Sequence, residues 1–270
     1  VSGKAYRINV IMPMLYESRQ HRRTARESLD CSFMLHELIT LGVQNIMTFD
    51  AHDDRVRNAI PLEGFDNLMP TYQMIKAFMN TETDFDLKNT VIVSPDEGAL
   101  SRGMYYSSVL GVQLSMFYKR RDYTVVKDGK NPIVAHEYLG ENVEGKDIIV
   151  VDDILSSGES FFHVMDKLKA MGARRIFGFF TFGLFCNGFD VVDKYYADGK
   201  FDRIYATNSV YNSEAALSRP WFKEVNVLKY IAYYIEAVNI NKSVGLMLDP
   251  TAKIHALCDE HGVSIPGGAK

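Results

Sequence analysis

Val150-Val151-Asp152-Asp153-Ile154-Leu155-Ser156-Ser157-Gly158-Glu159-Ser160 is the stretch on which the reading of this chain turns. Ile148–Val151 is a short apolar run and reads as a strand, which places two carboxylates at its C-terminal end, where open α/β sheets bind ligands. The helix that follows runs from about Ser160 to Met171, with Phe161, Val164, Met165, Leu168 and Met171 on one face before Gly172. Backbone amides and hydroxyls of the intervening loop, aided by the helix dipole, suit a phosphate dianion. Carboxylates accept hydrogen bonds from vicinal hydroxyls, so the whole pattern describes a ribose 5-phosphate. A serine N-cap preceded by solvated acids would produce the same letters.

Outward from this stretch, short apolar runs alternate with helical-period segments and glycines, the pattern of βαβ units and a parallel sheet. Strands are expected at Ile8–Met12, Asn45–Phe49, Thr90–Ser94, Gln113–Tyr118, Ile148–Val151, Arg175–Phe182 and Arg203–Ala206. A helix from Ser28 to Leu41 is expected to bury Phe33, Met34, Leu38 and Leu41 and to end at Gly42. Tyr123 to Glu144 is polar and reads as a long mobile excursion of the kind that often serves as a lid. Pro61, Gly64 and Pro70 punctuate a stretch without periodicity, which suggests a domain division around Phe65–Thr71. Thr251–His261 reads as a short helix.

The 270 residues, 47% hydrophobic and 24% charged, can bury one large core or two modest ones. A net charge of -4 offers no basic surplus for a nucleic-acid backbone, so phosphate must be held by local sites. Three cysteines, Cys31, Cys186 and Cys258, lie far apart without CxxC spacing. That argues against a zinc site or a disulfide framework, fits a reducing cytosol and reads as small core residues. No apolar run is long enough to span a bilayer, so a soluble cytoplasmic protein without membrane or nucleic-acid partners is expected.

Four further stretches carry candidate chemistry. Arg19-Gln20-His21-Arg22-Arg23 follows the first strand; guanidinium forks there suit polyphosphate, although arginine runs also serve as solvated faces. Phe49-Asp50-Ala51-His52 places a histidine after a strand, a position that is usually structural and sometimes ligating. Val93-Ser94-Pro95-Asp96-Glu97-Gly98-Ala99 ends a strand in a carboxylate and a glycine, suited to close approach of a metal phosphate and equally to a plain β-turn. Tyr118-Lys119-Arg120-Arg121 ends another strand in cations.

The Ile148–Ser160 stretch resembles the phosphoribosyl pyrophosphate loop of type I phosphoribosyltransferases. The ordered set of motifs from about Tyr6 to Ile235 resembles the ribose-phosphate diphosphokinases, also called phosphoribosyl pyrophosphate synthetases. The resemblance implies an α/β protein of two phosphoribosyltransferase-like domains, each a mainly parallel sheet flanked by helices, the first one incomplete. Residues 1–70 would be the remainder of the N-terminal domain and 71–228 the C-terminal domain; 229–270 would be a C-terminal helix packing back on the first domain, plus a tail. The chain starts partway into the family pattern, so a portion of a longer polypeptide is expected.

The implied reaction is attack of the ribose 5-phosphate 1-hydroxyl on the β-phosphorus of Mg-ATP, transferring pyrophosphate and releasing AMP. By resemblance Arg19 and Gln20 hold ATP, His52 and Asp96 hold Mg²⁺, and Asp96, Glu97, Gly98 and Ala99 form the pyrophosphate loop. Asp152 and Asp153 hold ribose hydroxyls; Ser156, Ser157, Gly158, Glu159 and Ser160 form the 5-phosphate loop. Lys119 and Arg121 stabilise developing charge as catalytic cations. A homo-oligomer, dimer or hexamer, is implied. The chain departs from the family pattern where Ser156 replaces an aspartate, Glu159 and Ala99 each replace a glycine, and His21 replaces an acidic or basic residue. The altered phosphate loop makes a non-catalytic regulatory relative, assembling with active subunits, the alternative.

Overall fold

The computed structural model describes residues 3–23, 26–121 and 133–266, without side chains at 119–121 and 133–136. In chain order the elements are β1 (Asn9–Ile11), α1 (Asp30–Thr40), β2 (Asn45–Phe49), β3 (Gly64–Leu68), α2 (Thr71–Thr81), β4 (Thr90–Ser94), α3 (Leu100–Leu110), β5 (Gln113–Arg121) and β6 (Ile133–Leu139). There follow β7 (Asp147–Leu155), α4 (Glu159–Ala170), β8 (Arg175–Gly183), α5 (Asp190–Ala197), β9 (Arg203–Thr207), α6 (Glu214–Leu217), β10 (Phe222–Val225), α7 (Leu228–Asn239), α8 (Gly245–Leu248) and α9 (Thr251–Glu260). Two compact units result. The first comprises Val1–Pro70, Asn208–Tyr211 and Asn226–Asp249; the second comprises Thr71–Thr207, Asn212–Val225 and Pro250–Lys270.

The first unit has a three-stranded parallel sheet in the order β1-β2-β3. Its core gathers Leu15, Cys31, Leu35, Val43, Ile46, Val56 and Ile60. Helix α7 joins this unit through Tyr234, whose hydroxyl donates to Asp66 Oδ2 at 2.6 Å. Strand β3 occupies the stretch expected to be a division between domains. Its sequence, Gly-Phe-Asp-Asn-Leu, has no apolar alternation, because pairing with β2 rather than a buried face holds it.

Helix α1 corrects another expectation. Its buried residues are Cys31 and Leu35, and Met34 and Leu38 pack part-buried against the same core as expected, while Phe33 and Leu41 are exposed, so the helix is rotated from the face that the largest side chains suggest. Gly42 follows it at φ +89°, as a helix-ending glycine should.

The second unit holds a seven-stranded sheet in the order β10-β9-β8-β7-β4-β5-β6, parallel except for β6. Period-two alternation sends neighbouring residues of one strand to opposite faces. Val91, Val93, Ile148 and Val150 meet α4 and α5 through Phe161, Val164, Leu168 and Val192. Ile92, Ile149, Val151, Phe177 and Phe179 meet α2, α3 and α9 through Met74, Phe78, Tyr106, Val109, Ile254 and Leu257. Both faces are covered, which explains why these strands read as continuous apolar runs.

All seven expected strands are present, and β3, β6 and β10 are additional. Strand β6 pairs antiparallel with β5 inside the segment expected to be a continuous mobile excursion. Residues 123–132 of that segment lie outside the described residues. Cys31 and Cys258 are buried as expected of small core residues, but Cys186 is exposed. Among the described residues no helix is long and apolar enough to cross a membrane.

Candidate functional site

In the second unit the strand order reverses between β4 and β7: the chain proceeds from β4 to β5 on one side and from β7 to β8, β9 and β10 on the other. Such a switch point opens a crevice at the carboxyl ends of the two strands. The Ser94–Ala99 loop and the Leu155–Glu159 loop leave β4 and β7 at that point.

The first loop is organised by its own aspartate. Asp96 Oδ1 accepts from the amides of Gly98 at 3.0 Å and Ala99 at 3.3 Å, while Ser94 Oγ donates to the Asp96 carbonyl at 2.6 Å. The backbone thus folds into an Asx turn. Ala99 sits at φ −87°, ψ −1°, so an alanine in place of the family's glycine meets no conformational penalty.

The second loop is organised from outside. The amides of Leu184 and Phe185 donate to the Leu155 carbonyl at 2.9 and 3.2 Å, and that of Cys186 donates to the Ser156 carbonyl at 3.0 Å. Ser156 Oγ also donates to Cys186 Sγ at 3.3 Å. Gly158 lies at φ +81°, and a Cβ there would come within 2.6 Å of the Phe162 ring. Only glycine fits this turn. Glu159 and Ser157 are exposed, and Glu159 stands in the first turn of α4, where the helix dipole favours an acid.

The paired aspartates differ in surroundings. Asp153 is 2% exposed and Asp152 half-buried, as alternation along β7 requires. Asp153 Oδ1 accepts from the Ile154 amide at 2.9 Å, and its Oδ2 lies 3.6 Å from Nη2 of Arg102, itself buried on α3. Asp152 Oδ1 accepts from the Asp153 amide at 2.9 Å. Burial first, then the negative charges of Asp153 and Asp96, push the Asp152 carboxyl well above the usual carboxylate range, with Arg102 pulling the other way. Arg102 escaped sequence reasoning because a lone arginine inside an amphipathic helix carries no pattern.

Lys119 and Arg121 lie on β5, the neighbour of β4, and their side chains fall outside the described residues.

In the first unit Asp50 directly follows β2 at φ +39°, a conformation aspartate tolerates better than most residues. The turn is pinned by the Asp50 amide donating to the Leu68 carbonyl at 3.0 Å and by the Ala51 amide donating to Asn67 Oδ1 at 2.9 Å. His52 is half-buried just beyond it. Within this unit His21 joins two of the expected stretches: its Nε2 lies 3.2 Å from Asp53 Oδ2, and its ring centroid lies 6.1 Å from that of His52. Nδ1 of His21 lies 3.0 Å from the Ser18 carbonyl. Arg55 hydrogen bonds, opposed in part by desolvation and joined by the nearby His21, hold the Asp53 carboxyl far below its usual range. Arg19 is exposed and Gln20 half-buried on the same loop as His21. Among the described residues no group of three or more histidine, cysteine, aspartate or glutamate side chains could by itself hold a metal ion.

Residues 72–182, which include both loops at this switch point and the glycine-opened helix, match the family model of the phosphoribosyl transferase domain. Across 248 residues the chain is 25% identical to a ribose-phosphate pyrophosphokinase of Bradyrhizobium diazoefficiens, covering 92% of this chain and 74% of that protein. The corresponding protein of Vibrio parahaemolyticus is 25% identical over 251 residues, 92% of this chain and 75% of the relative. The crystal structure of phosphoribosylpyrophosphate synthetase from Mycobacterium smegmatis superposes with a TM-score of 0.75 at 23% identity, covering 89% of this chain and 74% of that one, which shows a shared fold. Over most of its length the chain is thus similar to ribose-phosphate pyrophosphokinases.

Proposed function

We propose that this chain transfers pyrophosphate from Mg-ATP to the 1-hydroxyl of ribose 5-phosphate, giving phosphoribosyl pyrophosphate and AMP. The observation that carries the reading is the pairing of the Asp96 loop and the Asp152–Ser160 loop at one switch point of one sheet. Asp152 and Asp153 receive the ribose hydroxyls, and the amides and hydroxyls of Ser156 to Ser160 receive the 5-phosphate at the start of α4. Gly98 and the neighbouring amides line the pyrophosphate side. Arg19, Gln20 and His52 in the first unit serve the nucleotide. Lys119 and Arg121 supply positive charge to the bridging oxygen as it develops.

Magnesium fits the donor set. Asp96, Asp152 and Asp153 gather negative charge beside Arg102, so a hard cation with oxygen ligands would relieve what burial alone penalises. Asp96 would hold it in this unit, and it would supply neutralisation of phosphate charge. The protein's own residues orient the 1-hydroxyl toward the β-phosphorus and keep water from competing. The same reading makes the chain a cytoplasmic homo-oligomer.

Incubation of the protein with ribose 5-phosphate and Mg-ATP should release AMP in proportion to phosphoribosyl pyrophosphate formed, and Lys119→Ala should remove most of that turnover. Saturable ribose 5-phosphate binding without AMP release would replace this reading with the regulatory one, which the Ser156 and Glu159 substitutions favour.

A further inference from the structure

We infer that Phe185 is a positioning residue for the 5-phosphate loop: held in a left-handed turn by an aromatic cluster, it aims three successive amides at the carbonyls from which that loop starts. The inference rests on the reading that Ser156 to Ser160 take the 5-phosphate, and it assigns a residue that none of the recognised motifs contains.

Strands β7 and β8 run in parallel register as far as Leu155 and Gly183. Past that point the second strand turns. It delivers the amides of Leu184 and Phe185 to the Leu155 carbonyl and the amide of Cys186 to the Ser156 carbonyl. A carbonyl and the amide that follows it share one planar peptide unit and point in opposite directions. Fixing the Leu155 and Ser156 carbonyls therefore fixes the direction of the Ser156 and Ser157 amides, the first two donors of the loop. Donors aimed before an anion arrives need no further ordering when it binds.

The turn that makes this possible is unfavourable for the residue that adopts it. Phe185 lies at φ +46°, in a region that bulky residues almost never enter. Such a conformation persists only where the surroundings over-determine it, and it concentrates at ligand clamps. Here the surroundings are aromatic. The Phe185 ring centroid lies 5.2 Å from that of Phe189 and 5.7 Å from those of Trp221 and Phe222. Two of these neighbours are themselves fixed by Asp193. Trp221 is 1% exposed and its Nε1 donates to Asp193 Oδ1 at 2.7 Å. Arg219, paired with the same carboxylate at 2.9 Å, stands 4.1 Å from the Phe189 ring centroid. Gly183 leaves the room that the Phe185 ring needs, since a Cβ there would come within 3.0 Å of it. The Gly188 amide donates to the Phe185 carbonyl at 2.9 Å and closes the turn on its far side.

Ring and backbone thus make separate contributions, and two substitutions divide them. Phe185→Ala removes the ring and keeps the penalty of a positive φ, so the turn relaxes and the amides leave their carbonyls. Phe185→Gly removes the ring and the penalty together, so the turn survives.

The test uses the whole chain. Hydrogen exchange followed by mass spectrometry, with and without ribose 5-phosphate, reads the wild type. Calorimetric titration with ribose 5-phosphate reads the variants, its stoichiometry counting folded sites. Ribose 5-phosphate is expected to slow exchange at residues 156–160 and, at least threefold, at residues 184–186. The Kd is expected to rise at least tenfold in Phe185→Ala and to recover at least threefold in Phe185→Gly. A Kd for Phe185→Ala within twofold of the wild type overturns the positioning role. So does a Phe185→Gly Kd no better than that of Phe185→Ala, the order that ring packing alone would give, because glycine then adds only chain entropy to be lost. Should Phe185→Ala not fold, the wild-type exchange decides: protection at 156–160 without protection at 184–186 overturns the positioning role while the 5-phosphate site stands. No protection at 156–160 overturns the site itself, and the positioning role falls with it.

Discussion

The two loops at the switch point of the second unit look alike in sequence, each a strand end followed by acid, small residues and a helix, yet they are held in different ways. The Asp96 loop is closed by its own carboxylate on the Gly98 and Ala99 amides. The Ser156 loop is closed by a remote segment, Leu184 to Cys186, thirty residues further along the chain, as the Ser156–Cys186 pair measures it. A loop that closes itself tolerates change at its margin, as Ala99 shows. A loop held by a neighbour transmits every change to that neighbour.

The largest test of this contrast is Gly158→Ala. A positive φ and a Cβ placed 2.6 Å from the Phe162 ring both oppose the substitution. Strain of this kind costs roughly 1–3 kcal/mol before the ring moves. Thermal unfolding should occur at clearly lower temperature, and ribose 5-phosphate affinity measured by calorimetry should fall by more than tenfold. Unchanged affinity would mean that the loop is not the phosphate site.

Next in size is Asp96→Ala set against Asp96→Asn. The amide keeps an acceptor for the Gly98 and Ala99 amides, and alanine does not. Alanine should therefore cost about 1 kcal/mol of stability, the worth of a capping side chain, and asparagine a fraction of that. Denaturant titration reads the difference, while both variants should lose turnover because both lose the carboxylate charge.

Ala99→Gly should move stability by less than about 1 kcal/mol, because the native φ of −87° is open to both residues and only unfolded-chain entropy changes. A larger shift would show that the Asp96 loop, too, depends on its surroundings.

The faintest effect is chemical. Cys186 is exposed and should react with a thiol reagent at pH 8, more slowly once ribose 5-phosphate occupies the adjoining loop. Burial pushes Cys31 and Cys258 up to about 11, so both stay protonated and unreactive in the folded chain at that pH. Their folded values lie above the ordinary thiol value, so the stability they contribute is complete below pH 9.0 and is lost as pH rises toward 11. Alkaline unfolding followed by circular dichroism, with thiol release recorded in parallel, checks the sign.

What could be read without coordinates were the features in which short-range physics and function coincide. The seven strands of the expected list, the α4 face of Phe161, Val164, Met165 and Leu168, and the glycine ends of α1 and α4 follow from local period and backbone freedom. The strand-loop-helix of Ile148–Ser160 and the Asx turn at Asp96 belong to the same class. Strands β3 and β6 were not legible because pairing with β2 and β5, rather than an apolar face, defines them. Helix α1 misled because two large side chains, Phe33 and Leu41, lie on its solvent side while Cys31 fills the core.

The sequence by itself determined which residue types stand at the strand ends, and with them a phosphorylated ribose as the ligand to seek. Only the tertiary structure decided that Arg102 reaches Asp153 and that Cys186 latches Ser156. Those contacts join residues 30 to 51 positions apart. Local propensity cannot encode them, because they exist only after the strands have been ordered into a sheet.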